Sequence, residues 1–151
     1  MKTKWFSTLF ILSFLISSCG KENKKLEEIK SEKLTIDSFN DLPEEIDGCS
    51  CLFSSDSAAF NKDKYIYAND FTTTSFMKIN GKLVKLTEIE HKDIDSTTVL
   101  FTSTGDGFKV EIKAKDKKQI DYELSSKTGT ITITDKSGQK ITKHFYGECG
   151  C

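Results

Sequence analysis

In Phe76-Met77-Lys78-Ile79-Asn80-Gly81-Lys82-Leu83-Val84-Lys85-Leu86, apolar residues and lysines alternate on either side of an Asn-Gly pair. A period of two sends successive side chains to opposite faces of a strand. Asn-Gly readily adopts the two positive φ angles of a type I′ turn. The segment therefore reads as a two-residue β-hairpin with Ile79 opposite Lys82 and Met77 opposite Val84.

The same period recurs downstream. Phe108, Val110, Ile112 and Ala114 fall on one face, and Lys109, Glu111, Lys113 and Lys115 on the other. Ile120, Tyr122 and Leu124 repeat the pattern, as do Ile131 and Ile133 between threonines. One buried and one wet face explains each set. Turns are expected at Gly105-Asp106-Gly107, Asp116-Lys117-Lys118, Lys127-Thr128-Gly129 and Lys136-Ser137-Gly138. Short loops between amphipathic strands make an antiparallel meander of about seven or eight strands. Such a sheet must hide its edges, either by closing as a small barrel or by folding as a two-sheet sandwich.

The cysteines bear on closure. Gly48-Cys49-Ser50-Cys51 opens the β region and Glu148-Cys149-Gly150-Cys151 ends it. A spacing of two places both sulfurs of each pair on one face of an extended chain. If the first and last strands lie antiparallel, Cys49 meets Cys151 and Cys51 meets Cys149 within bridging distance. Four cysteines allow three connectivities, and this cross-strand set is the one the geometry favours. A second arrangement of the same residues is a tetrahedral thiolate site for Zn or Cu(I) at Cys49, Cys51, Cys149 and Cys151, although one intervening residue is fewer than zinc cysteines usually have.

Composition excludes more than it selects. The 22 basic and 23 acidic residues nearly cancel, so no overall field favours nucleic acid. Every basic residue is a lysine, and the absence of arginine removes the side chain best suited to bidentate capture of carboxylate or phosphate. Residues 19–34 are dominated by Lys and Glu, with Leu26 and Ile29 as the main apolar residues, and read as a polar tether. The β domain is expected over 35–151, entered through Leu34 to Asp47 with the lone Pro43.

Ahead of the tether, Lys2 and Lys4 precede an apolar run from Trp5 to Ile16, and small residues lead into Cys19. A basic start followed by a short apolar stretch is an export signal, expected over 1–18. Ile16-Ser17-Ser18-Cys19 resembles the lipobox of bacterial lipoproteins. The resemblance implies cleavage before Cys19, a diacylglycerol on its sulfur and further acylation of the new amino terminus. Two or more acyl chains attach a protein firmly to a bilayer. Gly20, where lipoproteins kept at the inner membrane usually carry Asp, implies an outer-membrane destination facing the periplasm or the surface.

Other candidate chemistry is sparse. Glu88, Glu90, His91, Asp93 and Asp95 form an acidic stretch without the oxygen spacing or glycine of a calcium loop, and read as a solvated strand edge. His144, opposite in parity to Ile141, is expected to face outward. Tyr65 and Tyr67 are expected to share one strand face and to be buried, close in sequence to Phe71 and Phe76. No serine, histidine and carboxylate fall into a nucleophile motif. In size and architecture the chain is also similar to the small lipid-anchored lysozyme inhibitors. Their inhibitory loop carries Ser-Gly followed two residues on by an aromatic residue before Tyr, whereas Ser137-Gly138-Gln139-Lys140 here runs into Ile141. The expectation is a membrane-anchored binding or structural module of the cell envelope without a cofactor or catalytic residues. Its partners would be the bilayer and an envelope protein. Thiolate metal binding and enzyme inhibition are the alternatives.

Overall fold

The computed structural model describes residues 33–151. The expected signal peptide, Cys19 and nearly all of the tether lie outside the described residues. Nine strands and one short helix follow in order: β1 (Ile36–Asp37), β2 (Ser50–Ser54), α1 (Ser57–Phe60), β3 (Tyr65–Asn69), β4 (Thr74–Ile79), β5 (Lys82–Asp95), β6 (Thr98–Gly105), β7 (Phe108–Gln119), β8 (Leu124–Thr134) and β9 (Lys140–Gly150).

From β2 to β9, neighbours in sequence are neighbours in the sheet. From β4 the order runs β3, β2, β9, β8, β7, β6, β5, and β5 pairs back to β4. Eight antiparallel strands thus close a barrel, and β1 is an addition to β4. Closure leaves none of the eight with a free edge, which resolves the choice between barrel and sandwich. The Asn-Gly hairpin joins β4 to β5 with Ile79 opposite Lys82 and Met77 opposite Val84. Asn80 and Gly81 have φ of 50° and 76°, the left-handed pair that a type I′ turn requires.

Inward residues from the eight strands form one core. Phe53, Met77, Leu86, Val110, Ile112, Ile131 and Ile133 are fully buried within it. The Phe53 ring stacks on Phe145 at 4.2 Å and on Tyr67 at 5.2 Å, a column of aromatics across the seam between β9, β2 and β3. The predicted alternation along Phe108 to Lys115 is observed, with Val110, Ile112 and Ala114 buried and the lysines exposed.

Three expectations need correction. Asp116-Lys117-Lys118 and Lys127-Thr128-Gly129 are not turns; they lie inside β7 and β8, where Asp116 pairs with Lys127 across the ladder. The turn lies instead at the segment expected to form a strand, and Ile120 and Tyr122 are exposed there. Gly129 misled because it has a packing role: a β-carbon at this position would overlap the Lys113 carbonyl and press on the Phe145 ring at 2.9 Å. Tyr65 and Tyr67 are both buried but do not share a face. A bulge opposite Phe53 and Ser54 inserts Ile66, so Tyr67 joins the barrel core while Tyr65 packs outside with Phe39 and Phe60. Finally, Leu34, assigned to the tether by composition, is buried in the barrel core and belongs to the domain.

Candidate functional site

The two ends of the barrel differ. One end carries the turns at Asn80-Gly81, Asp106-Gly107 and Lys136-Ser137, and β1 closes it. Leu34 and Ile36 insert into the core there. The polar groups of the same segment are tied to the surrounding turns. The Leu34 N–H donates to Gln139 Oε1 (2.7 Å), the Thr35 N–H to Asn80 Oδ1 (2.8 Å), and the Gly81 N–H to Asp37 Oδ2 (2.7 Å). Lys143, on β9, sends its ammonium to the Ile36 carbonyl (2.7 Å). The Ser137-Gly138 loop is therefore part of the plug, with Asp135 Oδ1 accepting from the Ser137 and Gln139 N–H groups (2.8 and 2.9 Å).

The opposite end is open. It is framed by the loop from Asp70 to Thr73, by the β5–β6 and β7–β8 turns, and by the two disulfides. A cavity of about 440 Å³ lies in this mouth. Cys51 and Cys149 contribute their bridge to its wall, Phe71, Val99 and Phe101 its apolar surface, and Asn69, Glu88, His91, Glu123, Ser125 and Lys127 its polar groups. Among the described residues, most of the exposed large apolar side chains belong to the same end: Phe71, Ile89, Ile94, Ile120 and Tyr122.

Local strand geometry places each charged group. Along β8, Ser125 and Lys127 keep the parity of Ile131 and Ile133, so they point into the barrel. The Lys127 ammonium meets the Asp116 carboxylate, its cross-strand partner on β7, and the lysine side chain is only 16% exposed. On β5, Glu88 continues the inward face of Val84 and Leu86. A bulge between Glu88 and Glu90 then skips Ile89 and returns His91 to the inside, opposite Phe101. The imidazole meets the Phe101 ring edge to face at 4.8 Å, its Nδ1 lies 3.5 Å from Glu88 Oε1, and its Nε2 lies 3.8 Å from Asp93 Oδ1. Deeper, the Tyr67 hydroxyl is enclosed, and burial raises its pKa far above the ordinary phenol value against the weaker opposing pull of the neighbouring Ser75 and Asn69 side chains.

The acidic stretch singled out in the sequence is thus divided. Glu88 and His91 line the cavity, Glu90 accepts from Thr102 Oγ1 at 3.5 Å, and Asp95 accepts from the Thr97 N–H at 2.8 Å. Among the described residues, no group of three or more His, Cys, Asp or Glu side chains is placed to hold a metal ion. Cys49 is bonded to Cys151 and Cys51 to Cys149, so a thiolate centre at these four residues would require both bridges to be reduced. His144 is exposed on the outer surface beside Lys113 and Thr130.

Sequence reasoning missed Lys127 and Phe101 as mouth residues, and Asp116 as the partner of that lysine. The signal for Lys127 was available in its parity with Ile131, but the turn placed at Lys127-Thr128-Gly129 hid it. Set against known protein families, curated proteins and solved structures, the chain matches none.

Proposed function

We propose that the chain is an exported lipoprotein, held by acyl chains on Cys19 in the outer membrane, whose barrel works as a binding module of the cell envelope rather than as an enzyme. The lipobox-like Ile16-Ser17-Ser18-Cys19 supports the anchor. Two disulfides support passage through an oxidising compartment. The observation that carries the binding reading is the cavity in the mouth. Small barrels are ordinarily filled by side chains along their length, and here the filling stops at Phe101 and the Cys51–Cys149 bridge, leaving a hollow lined by aromatic and charged groups. The described chain enters at the plugged end, away from this mouth.

The anchor is tested by expressing the full chain and Cys19→Ser in a two-membrane bacterium fed an alkyne-bearing palmitate. Label and outer-membrane sedimentation are expected for the first and not for the second; an unlabelled, soluble full chain would overturn the anchor. Binding is tested with Nile red, an uncharged apolar dye. Its fluorescence is expected to rise with the full chain and to lose that rise in Ser125→Trp, which fills the mouth. An equal response from both chains would move the binding site elsewhere.

A further inference from the structure

We infer that the mouth of the barrel selects a small organic cation, an ammonium carried on an apolar or aromatic body, with Glu88 as its counter-ion. This rests on reading the mouth as a binding site and adds the chemistry of what it takes.

The charges in the lining decide the sign of the ligand. Lys127 is the lone cation among the lining residues, and its ammonium is already paired with Asp116. An anionic ligand would have to displace that carboxylate. Glu88 is in the opposite situation. Its side chain is 18% exposed and accepts no hydrogen bond from any described residue, and its nearest basic group is the His91 imidazole at 3.5 Å. A largely enclosed carboxylate with so little pairing gains from a cation brought within contact distance. A cation arriving through the mouth supplies the missing partner, and Glu123 at the rim adds a second negative charge along its path.

The apolar surface fits the remainder of such a ligand. Phe71 and Phe101 present aromatic rings to the cavity, and ring faces attract ammonium groups by about 0.5–2 kcal/mol as the site dries. The volume of about 440 Å³ lies at the lower end of the range that small-molecule sites occupy. A fully apolar ligand would fill the same space while burying Glu88 without compensation. The site therefore distinguishes ligands by charge as well as by shape.

The test uses three compounds of nearly one shape: phenethylamine (cationic), 2-phenylethanol (neutral) and phenylacetate (anionic). Each is titrated into the isotope-labelled full chain in a non-ionic detergent and followed by amide NMR. Phenethylamine is expected to shift the amides of Asn69, Glu88 and Phe101 saturably, and to bind at least about tenfold more tightly than either analogue. Glu88→Gln should abolish that preference while retaining both disulfides and the wild-type amide pattern away from the mouth. If Glu88→Gln does not fold, Glu123→Gln is the second variant, with a partial loss of preference expected. Phenylacetate binding as tightly as the amine, or an unchanged preference in the folded Glu88→Gln protein, would overturn the assignment of the cation while leaving the mouth a binding site. If none of the three binds, both readings fail.

Discussion

Cys51 and Cys149 are direct partners in the ladder between β2 and β9, and their disulfide joins positions 98 residues apart. The seam it fastens is the one place in the barrel where neighbouring strands come from opposite ends of the domain. Cys49–Cys151, spanning 102 residues, fastens the same seam one step further out. Closing a loop of this length removes about 4–5 kcal/mol of unfolded-state freedom, and a second, nested bridge adds much less. Changing Cys51 and Cys149 together to Ala is therefore expected to cost about 1–2 kcal/mol, and changing all four cysteines about 4–5 kcal/mol or more. Urea unfolding of the two variants beside the parent checks the ratio, and a loss of about 4–5 kcal/mol from the first pair alone would show that the remaining bridge does not constrain the same loop.

Gly129 is the tightest point of the β7–β8–β9 wall. Its missing side chain lets the Lys113 carbonyl and the Phe145 ring approach the backbone. Gly129→Ala is expected to destabilise by about 1–3 kcal/mol, the usual cost of overpacking a closed interior. The urea midpoint should fall with an unchanged slope. A neutral substitution would mean that Phe145 can move off the Phe53 ring without loss.

The plug rests on a few polar contacts that can be removed singly. Asp37 accepts from the Gly81 N–H at 2.7 Å and from Thr35 Oγ1 at 3.0 Å, binding β1 to the turn that ends β4. Asp37→Ala is expected to speed amide exchange at Thr35 and Gly81 by about tenfold, equivalent to roughly 1.4 kcal/mol of local stability. Exchange at Ile131 and Ile133, deep in the barrel, should hardly change. Equal acceleration at all four amides would make the plug part of the global fold instead of a separately opening element.

Stability should fall at both extremes of pH, for separate reasons. The Asp135 carboxyl is held below its ordinary value chiefly by the Ser137 hydroxyl, and Asp56 by the backbone N–H of Ala59. A depressed carboxylate contributes stability that is whole above its unfolded value of about 3.9 and is lost as pH falls through the folded value. Tyr65 behaves oppositely. Burial first, and then its hydrogen bond to Asp63, push its phenol up to about 12. A raised phenol contributes stability that is whole below its unfolded value of about 10 and is lost as pH rises toward the folded one. Urea midpoints across pH should show a plateau between these limits, and Tyr65→Phe should flatten the alkaline limb. An alkaline limb unchanged by Tyr65→Phe would assign it to the other raised phenols, Tyr67 and Tyr146.

Much of the barrel was legible one strand at a time. Met77 opposite Val84, and the inward set Val110, Ile112 and Ala114, follow from a two-residue period interrupted by Asn80-Gly81. The errors arose where a local signal had a distant cause. Gly129 resembled a turn because its neighbours are polar, but its reason is the Phe145 ring, which approaches from β9. Tyr65 and Tyr67 parted because a bulge changes parity, and a bulge has no period of its own.

The sequence by itself determined most of the strands, the Asn80-Gly81 hairpin, and a cysteine spacing that suits bridges between the first and last strands of the barrel, because alternation, turn chemistry and spacing are properties of short segments. Only the tertiary structure decided that β4 closes on β5, that β1 plugs one end, and that Glu88, His91, Phe101 and Lys127 gather at the other. Those outcomes depend on strand register across the closed sheet, and a single bulge reverses which face every later residue presents.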